Sequence, residues 1–252
     1  MAPILELQQL VKRYGGVQAL MGVDLDVQPA QVLAICGENG AGKSTLIKVV
    51  SGAHPPTSGR MRLNGREVHW SSPHDALVNG VTTIYQDLAL APKLSVWQNI
   101  FIGSEIRRSI LPGCHILDKA AMRAQALEYL QRLHQRITDV DRPVEGFSGG
   151  QRQAIAIARA LRWEARLVIM DEPTAALGVA ETAEVLALIQ HLKAQGVAVL
   201  LISHSMEDVI QVADQVVILK AGRVAARGAT AELTPASLAQ AVMTGVWPSA
   251  PH

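Results

Sequence analysis

Cysteine is scarce in this chain. Its 252 residues include two, Cys36 and Cys114, which excludes a disulfide framework and a cysteine-rich metal site. Cys36 closes the apolar run VLAIC and reads as a buried thiol. Long apolar stretches are also missing. The longest, Val197 to Ile202, has six residues, against the ~18 or more that a bilayer-crossing helix needs. The opening segment MAPILELQQLVKR lacks the basic start and apolar stretch of a secretory signal. Net charge is only +1, which argues against a general affinity for nucleic acid. There is no internal repeat and no low-complexity segment. The compartment expected is aqueous and reducing. With 49% hydrophobic and 18% charged residues, the chain has the means to build a sizeable core. Its length suits one large α/β domain, or one domain with an inserted subdomain.

Hydrophobic patterning supplies the order of elements. ILELQQL, VDLDV and QVLAIC read as early strands, followed by a helix over STLIKVVS that Gly52 closes. MRLNGREVHW reads as a hairpin around Asn64-Gly65, and TTIY (82–85) as a further strand. From about residue 95 to 135 the pattern is helical, in SVWQNIFIG and DKAAMRAQALEYLQRLHQR, with RRSILPGCH expected as a loop between them. SGGQRQAIAIARALR is a helix, with Ser148 at its N-cap and Gln151 three residues on. LVIM and VAVLLIS read as buried strands around the helix ETAEVLALIQHLKAQ; QVVILKAGRVAARG is a hairpin, and PASLAQAVM a closing helix. Strands alternating with helices imply a mostly parallel sheet, to which the β-rich start and the helical middle look like attachments.

Two segments carry chemistry. Gly37-Glu38-Asn39-Gly40-Ala41-Gly42-Lys43-Ser44, with Thr45 next, fits G-x-x-x-x-G-K-[ST] between a strand and a helix. Glycines there let amide N–H groups curl inward around phosphate, at a helix start that adds partial positive charge. Lys43 is expected at the β- and γ-phosphates of a nucleotide, and Ser44 at Mg²⁺. The second segment is LVIMDEP (167–173). Asp171 emerges at the strand's carboxyl end, where ligands of parallel sheets collect, and is expected to hold the Mg²⁺ through water. Glu172 is placed to polarise a water aimed at the γ-phosphate.

FSGGQRQ (147–153) extends the pattern into a resemblance. The chain resembles the ATP-binding cassette (ABC) ATPases, whose signature is typically L-S-G-G-Q. The resemblance runs over nearly the whole length in the family's order: phosphate loop, Gln86, signature, DEP segment and His204. It implies a phosphate-loop α/β core, an antiparallel β subdomain at the start and a helical subdomain inserted at about residues 88–162, all in one ABC ATPase domain over 1–252. It implies that Ser148, Gly149, Gly150 and Gln151 cap the nucleotide held by the phosphate loop of a second copy, in a head-to-tail homodimer. Tyr14 matches the aromatic that stacks on adenine. Gln86 matches the glutamine that reaches Mg²⁺ and the attacking water, and His204 the histidine that contacts the γ-phosphate and orients the catalytic group. Two positions depart from the usual pattern. Phe147 stands where leucine is usual, and Gly178 where many members carry an aspartate that couples the two sites.

Three kinds of cassette fit such a chain: the ATPase of a solute importer, a soluble cassette, and a regulatory nucleotide binder that does not hydrolyse. Glu172 speaks against the last. Soluble repair types carry a long coiled coil that is absent between loop and signature, and translation types carry two cassettes; cluster-assembly types remain open in length. The stretches GENGAGKSTLIKVVSGAHPPTSG, IYQDLALAPKLSVWQNIFIGSE and DEPTAALGVAET, with the closing MTG, look like ATPases that energise monosaccharide uptake. That likeness implies a membrane permease as direct partner, a periplasmic solute-binding protein as an indirect one, and a place on the cytoplasmic face of the membrane. An importer of another solute stays open.

Overall fold

The computed structural model describes residues 2–231 and 233–248. The chain opens with β1 (Leu5–Tyr14), β2 (Val17–Val27) and β3 (Val32–Cys36), then α1 (Lys43–Val50), β4 (Ser58–Leu63) and β5 (Arg66–Glu67). A helix α2 (Pro73–Val78) leads to β6 (Val81–Ile84) and α3 (Val96–Phe101). Then come β7 (Arg107–Leu111), β8 (Cys114–Leu117), α4 (Lys119–Arg132) and α5 (Gly149–Leu161). The last part holds β9 (Leu167–Asp171), α6 (Val179–Ala194), β10 (Ala198–Ile202), α7 (Met206–Val212), β11 (Gln215–Lys220), β12 (Arg223–Ala229) and α8 (Pro235–Thr244).

The central sheet has six strands in the order β12-β11-β3-β10-β9-β6. All neighbours are parallel except the β11–β12 hairpin. Parallel strands covered on both faces need continuous apolar runs, and VLAIC, LVIM and AVLLI supply them. Their side chains alternate between two cores. β3 sends Val32, Ala34 and Cys36 to one face and Leu33 and Ile35 to the other, while β9 divides Val168 and Met170 from Leu167 and Ile169. The first core is completed by helices, with Ile100 of α3, Met122 of α4, Ile155 of α5 and Ile189 of α6 fully buried. The second lies under α1 and the antiparallel sheet β2-β1-β4-β5, through Leu5, Leu7, Leu10, Val23 and Leu46. Each such side chain contributes roughly 1.5–3 kcal/mol of burial. This is the α/β class the sequence implies, and the hairpin at Asn64-Gly65 is present, with φ of 50° and 76° at the two turn residues.

The stretch expected as a loop at 107–115 is a two-stranded hairpin instead, β7 paired with β8. Its turn is Pro112-Gly113, with Gly113 at φ 82°, the residue order a type II turn asks for. Every residue of both strands is exposed, so no buried face gives the hairpin a period-2 pattern that the sequence could display. Two short helices, α2 and α7, also go unannounced by apolar spacing. Among the described residues no helix is long and apolar enough to cross a membrane.

Candidate active site

Strand register builds the site. Ile202 lies beside both Ile35 and Asp171, and Ile84 beside Met170. The four strand ends therefore fall on one edge of the sheet. Chain continuing from those ends delivers Gly37, Glu172, His204 and Gln86 to the same place, the position at which open α/β sheets bind ligands. Asn39 to Thr45, Ala19, Gln86, Asp171, Glu172 and His204 line one cleft there, of about 460 Å³.

The phosphate loop is shaped by close packing. A Cβ on Gly37 would come within 2.3 Å of the Leu219 carbonyl oxygen, and one on Gly42 within 2.8 Å of that of Ala19. Gly40 and Gly42 have φ of 82° and 108°, a left-handed region that glycine adopts without steric cost. Gly42 is also the N-cap of α1, so the helix start faces the cleft. The Lys43 ammonium donates to the carbonyls of Gly37 (2.6 Å) and Glu38 (3.0 Å). Burial draws its pKa below the ordinary lysine value, while the Glu172 and Asp171 carboxylates act in the opposite sense. Beneath the loop, burial pushes the Cys36 thiol up to about 12, so it packs rather than reacts.

The two acids share this setting. Burial raises the Asp171 pKa, with Lys43 the strongest opposing charge. Burial likewise raises Glu172; His204 opposes the rise, and the Asp171 charge adds to it. His204 Nε2 lies 2.9 Å from Glu172 Oε1. Glu172 itself sits at φ 52°, an unfavourable backbone region for a side-chain-bearing residue, of the sort that persists at functional sites. The Thr174 hydroxyl donates to Asp208 on α7 (2.7 Å), which ties the loop after Glu172 to the loop carrying His204. Ser44, Gln86 and Asp171 bring a hydroxyl, an amide carbonyl and a carboxylate to the same cleft. Those hard oxygen donors fit Mg²⁺, which keeps several waters and shares phosphate oxygens. Among the described residues no cluster of three or more His, Cys, Asp or Glu that could hold a metal ion occurs.

The signature stands elsewhere. Ser148 caps α5 in a full capping box with Gln151, and Phe147 is buried beneath it with the Arg142 guanidinium over its ring. Phenylalanine thus fills the position usual for leucine. Of Ser148 to Gln151, none lines the phosphate-loop cleft. Gly149 lines a second cavity of about 380 Å³, which Gln86 and Glu172 also border. Tyr14 does not line the cleft either. It is 41% exposed at the end of β1, edge-on to His54 at 5.5 Å, one short turn before the strand that carries Ala19 into the cleft wall.

One residue escapes the sequence reading. Glu181, in the first turn of α6, accepts the Gly149 amide (2.7 Å) through one oxygen and the Gly178 amide (3.3 Å) through the other. It fastens the start of the signature helix to the start of α6. A Cβ on Gly149 would lie 2.4 Å from Leu177 Cδ2, and one on Gly150 2.5 Å from Glu184 Oε2, so both glycines permit this contact. The signal was the Gly178-to-Glu181 spacing of an N-cap and its third helical residue. At Gly178 a Cβ would meet nothing within 4 Å, so packing does not explain the missing aspartate.

Comparison with known proteins shows the family. The ABC transporter family matches residues 20–175. The chain is 47% identical to the fructose import ATP-binding protein FrcA of Rhizobium meliloti, over 88% of this chain and 86% of that one. It is 43% identical to the xylose/arabinose import ATP-binding protein XylG of Sulfolobus acidocaldarius, over 89% and 87%. The ribose import ATP-binding protein RbsA 2 of Escherichia coli O157:H7 is 42% identical over 88% of this chain but only 42% of its own length. Among solved structures, MJ1267, an ATP-binding cassette of an ABC transporter, superposes with a TM-score of 0.83 at 27% identity, covering 97% of this chain and 99% of that one. The chain belongs to the ABC transporter family, as one of its ATP-binding cassettes.

Proposed function

We propose that this protein is the ATP-hydrolysing subunit of an importer, working as a head-to-tail pair of copies and energising the uptake of a monosaccharide through a separate permease. The observation that carries the reading is a separation: phosphate loop, Gln86, Asp171, Glu172 and His204 line one cleft, and none of Ser148, Gly149, Gly150 and Gln151 lines it, Gly149 bordering a neighbouring cavity instead. A second copy turned the opposite way supplies the missing wall. The fructose, xylose and ribose import relatives support the sugar. In this reading the permease supplies the path across the membrane, and the chain sits against it at the cytoplasmic face; no described helix is long and apolar enough to cross a membrane itself. The solute itself is captured by a periplasmic binding protein, so this chain needs no sugar site of its own.

In this reading the loop amides and the start of α1 bind the phosphates, and Lys43 offsets their charge. Ser44, Gln86 and Asp171 would hold Mg²⁺, which when bound neutralises charge on the β- and γ-phosphates. Glu172 accepts a proton from the water that attacks the γ-phosphate in line, a role helped by a pKa raised toward neutrality. His204, with Nε2 2.9 Å from Glu172 Oε1, fixes that carboxylate. Tyr14 stacks on the adenine, and Ser148 with Gly149 and Gly150 closes over the γ-phosphate from the other copy. Loss of that phosphate removes the bridge and opens the pair, the order-by-γ-phosphate logic of nucleotide switches.

Uptake tests the sugar. Cells lacking this chain should fail to accumulate at least one of labelled ribose, xylose and fructose, and a Glu172→Gln copy should not restore it. Undiminished uptake of all three would overturn the sugar reading and leave the ATPase standing.

A further inference from the structure

We propose that the β7–β8 hairpin is a membrane-surface contact, its apolar tip entering the headgroup boundary of an anionic bilayer while Arg107 and Arg108 bind the lipid phosphates. Exposure comes first. Ile110, Leu111, Ile116 and Leu117 are 56%, 66%, 39% and 42% exposed, an unusual concentration of free aliphatic surface on one small element. The register orders them. Arg107 lies opposite Leu117 and Arg108 opposite Ile116 at the open end, while Leu111 faces Cys114 across the turn. Neighbouring strand residues point to opposite faces and cross-strand partners to the same one. Each face therefore carries one arginine with an aliphatic side chain opposite it at the base, Leu117 or Ile116, and Ile110 and Leu111 lie nearer the turn, past Ser109 and His115.

The dimensions match an interfacial wedge. Four residue steps lead from Arg107 to Leu111, about 13 Å at ~3.3 Å per residue. With the guanidinium groups at phosphate level and the hairpin tilted to the surface, the tip would lie about 5–10 Å deeper, the range reached by interfacial apolar faces. Charge fits as well: no acidic side chain occurs from 107 to 117. The acids flanking the hairpin are engaged. The Glu105 carboxylate accepts the Gly103 amide, and the Asp118 carboxylate caps α4 through the Ala121 amide. A protein groove would cover one face and leave the other apolar face in water. A lipid surface receives both, and its phosphates attract the paired arginines.

The two cysteines make the test selective. Cys114 is exposed at the tip and Cys36 is fully buried, so a thiol-reactive, polarity-sensitive fluorophore labels the hairpin alone. With phosphatidylcholine vesicles containing about 30 mol% phosphatidylglycerol, the expected result is a blue shift and a gain in emission, reversed by about 0.5 M salt. Unlabelled full-length chain should float with the same vesicles. The double variant Ile110→Asp, Leu111→Asp should not, and Arg107→Gln with Arg108→Gln should each weaken partition about fivefold. ATP turnover by these variants should stay normal, which separates failure here from failure of the ATPase reading. Unchanged emission, flotation of the aspartate variant like the parent, or equal binding to pure phosphatidylcholine would overturn the proposal. So would variants that lose the permease while vesicle binding is absent throughout.

Discussion

Glu172 is asked to ionise where ionisation is resisted. Burial and the neighbouring Asp171 charge both raise its pKa above the ordinary 4.5, and His204 works against them. A base must be deprotonated, so turnover should fall as pH drops, with a midpoint above 4.5. His204→Gln removes the opposing charge, so the acid limb should move to higher pH as the rate falls. A kcat–pH profile measures this, and an unmoved limb would contradict the pairing. Stability runs the opposite way with pH. The folded chain holds the protons of Asp171 and Glu172 more tightly than the unfolded chain does. Their contribution is therefore greatest below the ordinary carboxylate pKa and is lost as pH rises through the raised folded values. At neutral pH the two charges cost stability. Glu172→Gln should accordingly melt higher, by about 2–4 °C per kcal/mol relieved, while turnover drops about 10²–10³-fold. Calorimetry beside a phosphate-release assay would show both, and a lower melting point would refute the burial account. Most of these residues were legible because the phosphate loop and DEP segment are contiguous stretches with fixed spacing. The 2.9 Å contact of His204 with Glu172 was implied only by the family resemblance, since strand register creates it from residues 32 apart.

Elements meet at Glu181. Charge-assisted hydrogen bonds are worth roughly 1.5–3 kcal/mol, and this carboxylate accepts from the first amide of α5 and from the N-cap amide of α6. Glu181→Ala should lower kcat about tenfold or more, with little change in the ATP affinity of the phosphate-loop cleft, and Glu181→Gln should restore part of the rate. Steady-state kinetics with a nucleotide-binding titration would separate the two quantities. A normal kcat in the alanine variant would mean that α5 holds its orientation without help. The central strands were readable from the sequence because burial on both faces leaves uninterrupted apolar runs such as AVLLI. The β7–β8 hairpin was not, because nothing in it is buried. Helices α2 and α7 are too short for apolar periodicity, yet their caps are written in the chain: Ser72 accepts from Asp75 and Ser205 from Asp208. Attention to capping serines would have found both.

At the scale of the whole molecule, sequence order gave the fold class but not the distance between the two halves of the chemistry. The resemblance assigns phosphate loop and signature to two different copies of the chain. In the structure none of Ser148 to Gln151 lines the phosphate-loop cleft, and Tyr14 stands outside its lining too. The account therefore requires a second copy for every turnover. Its most direct test is ATP hydrolysis per protomer across a dilution series, followed with sedimentation at the same concentrations. The rate per protomer should fall toward zero as the chain becomes monomeric and recover on concentration. A constant rate per protomer in a monomeric preparation would contradict the shared centre.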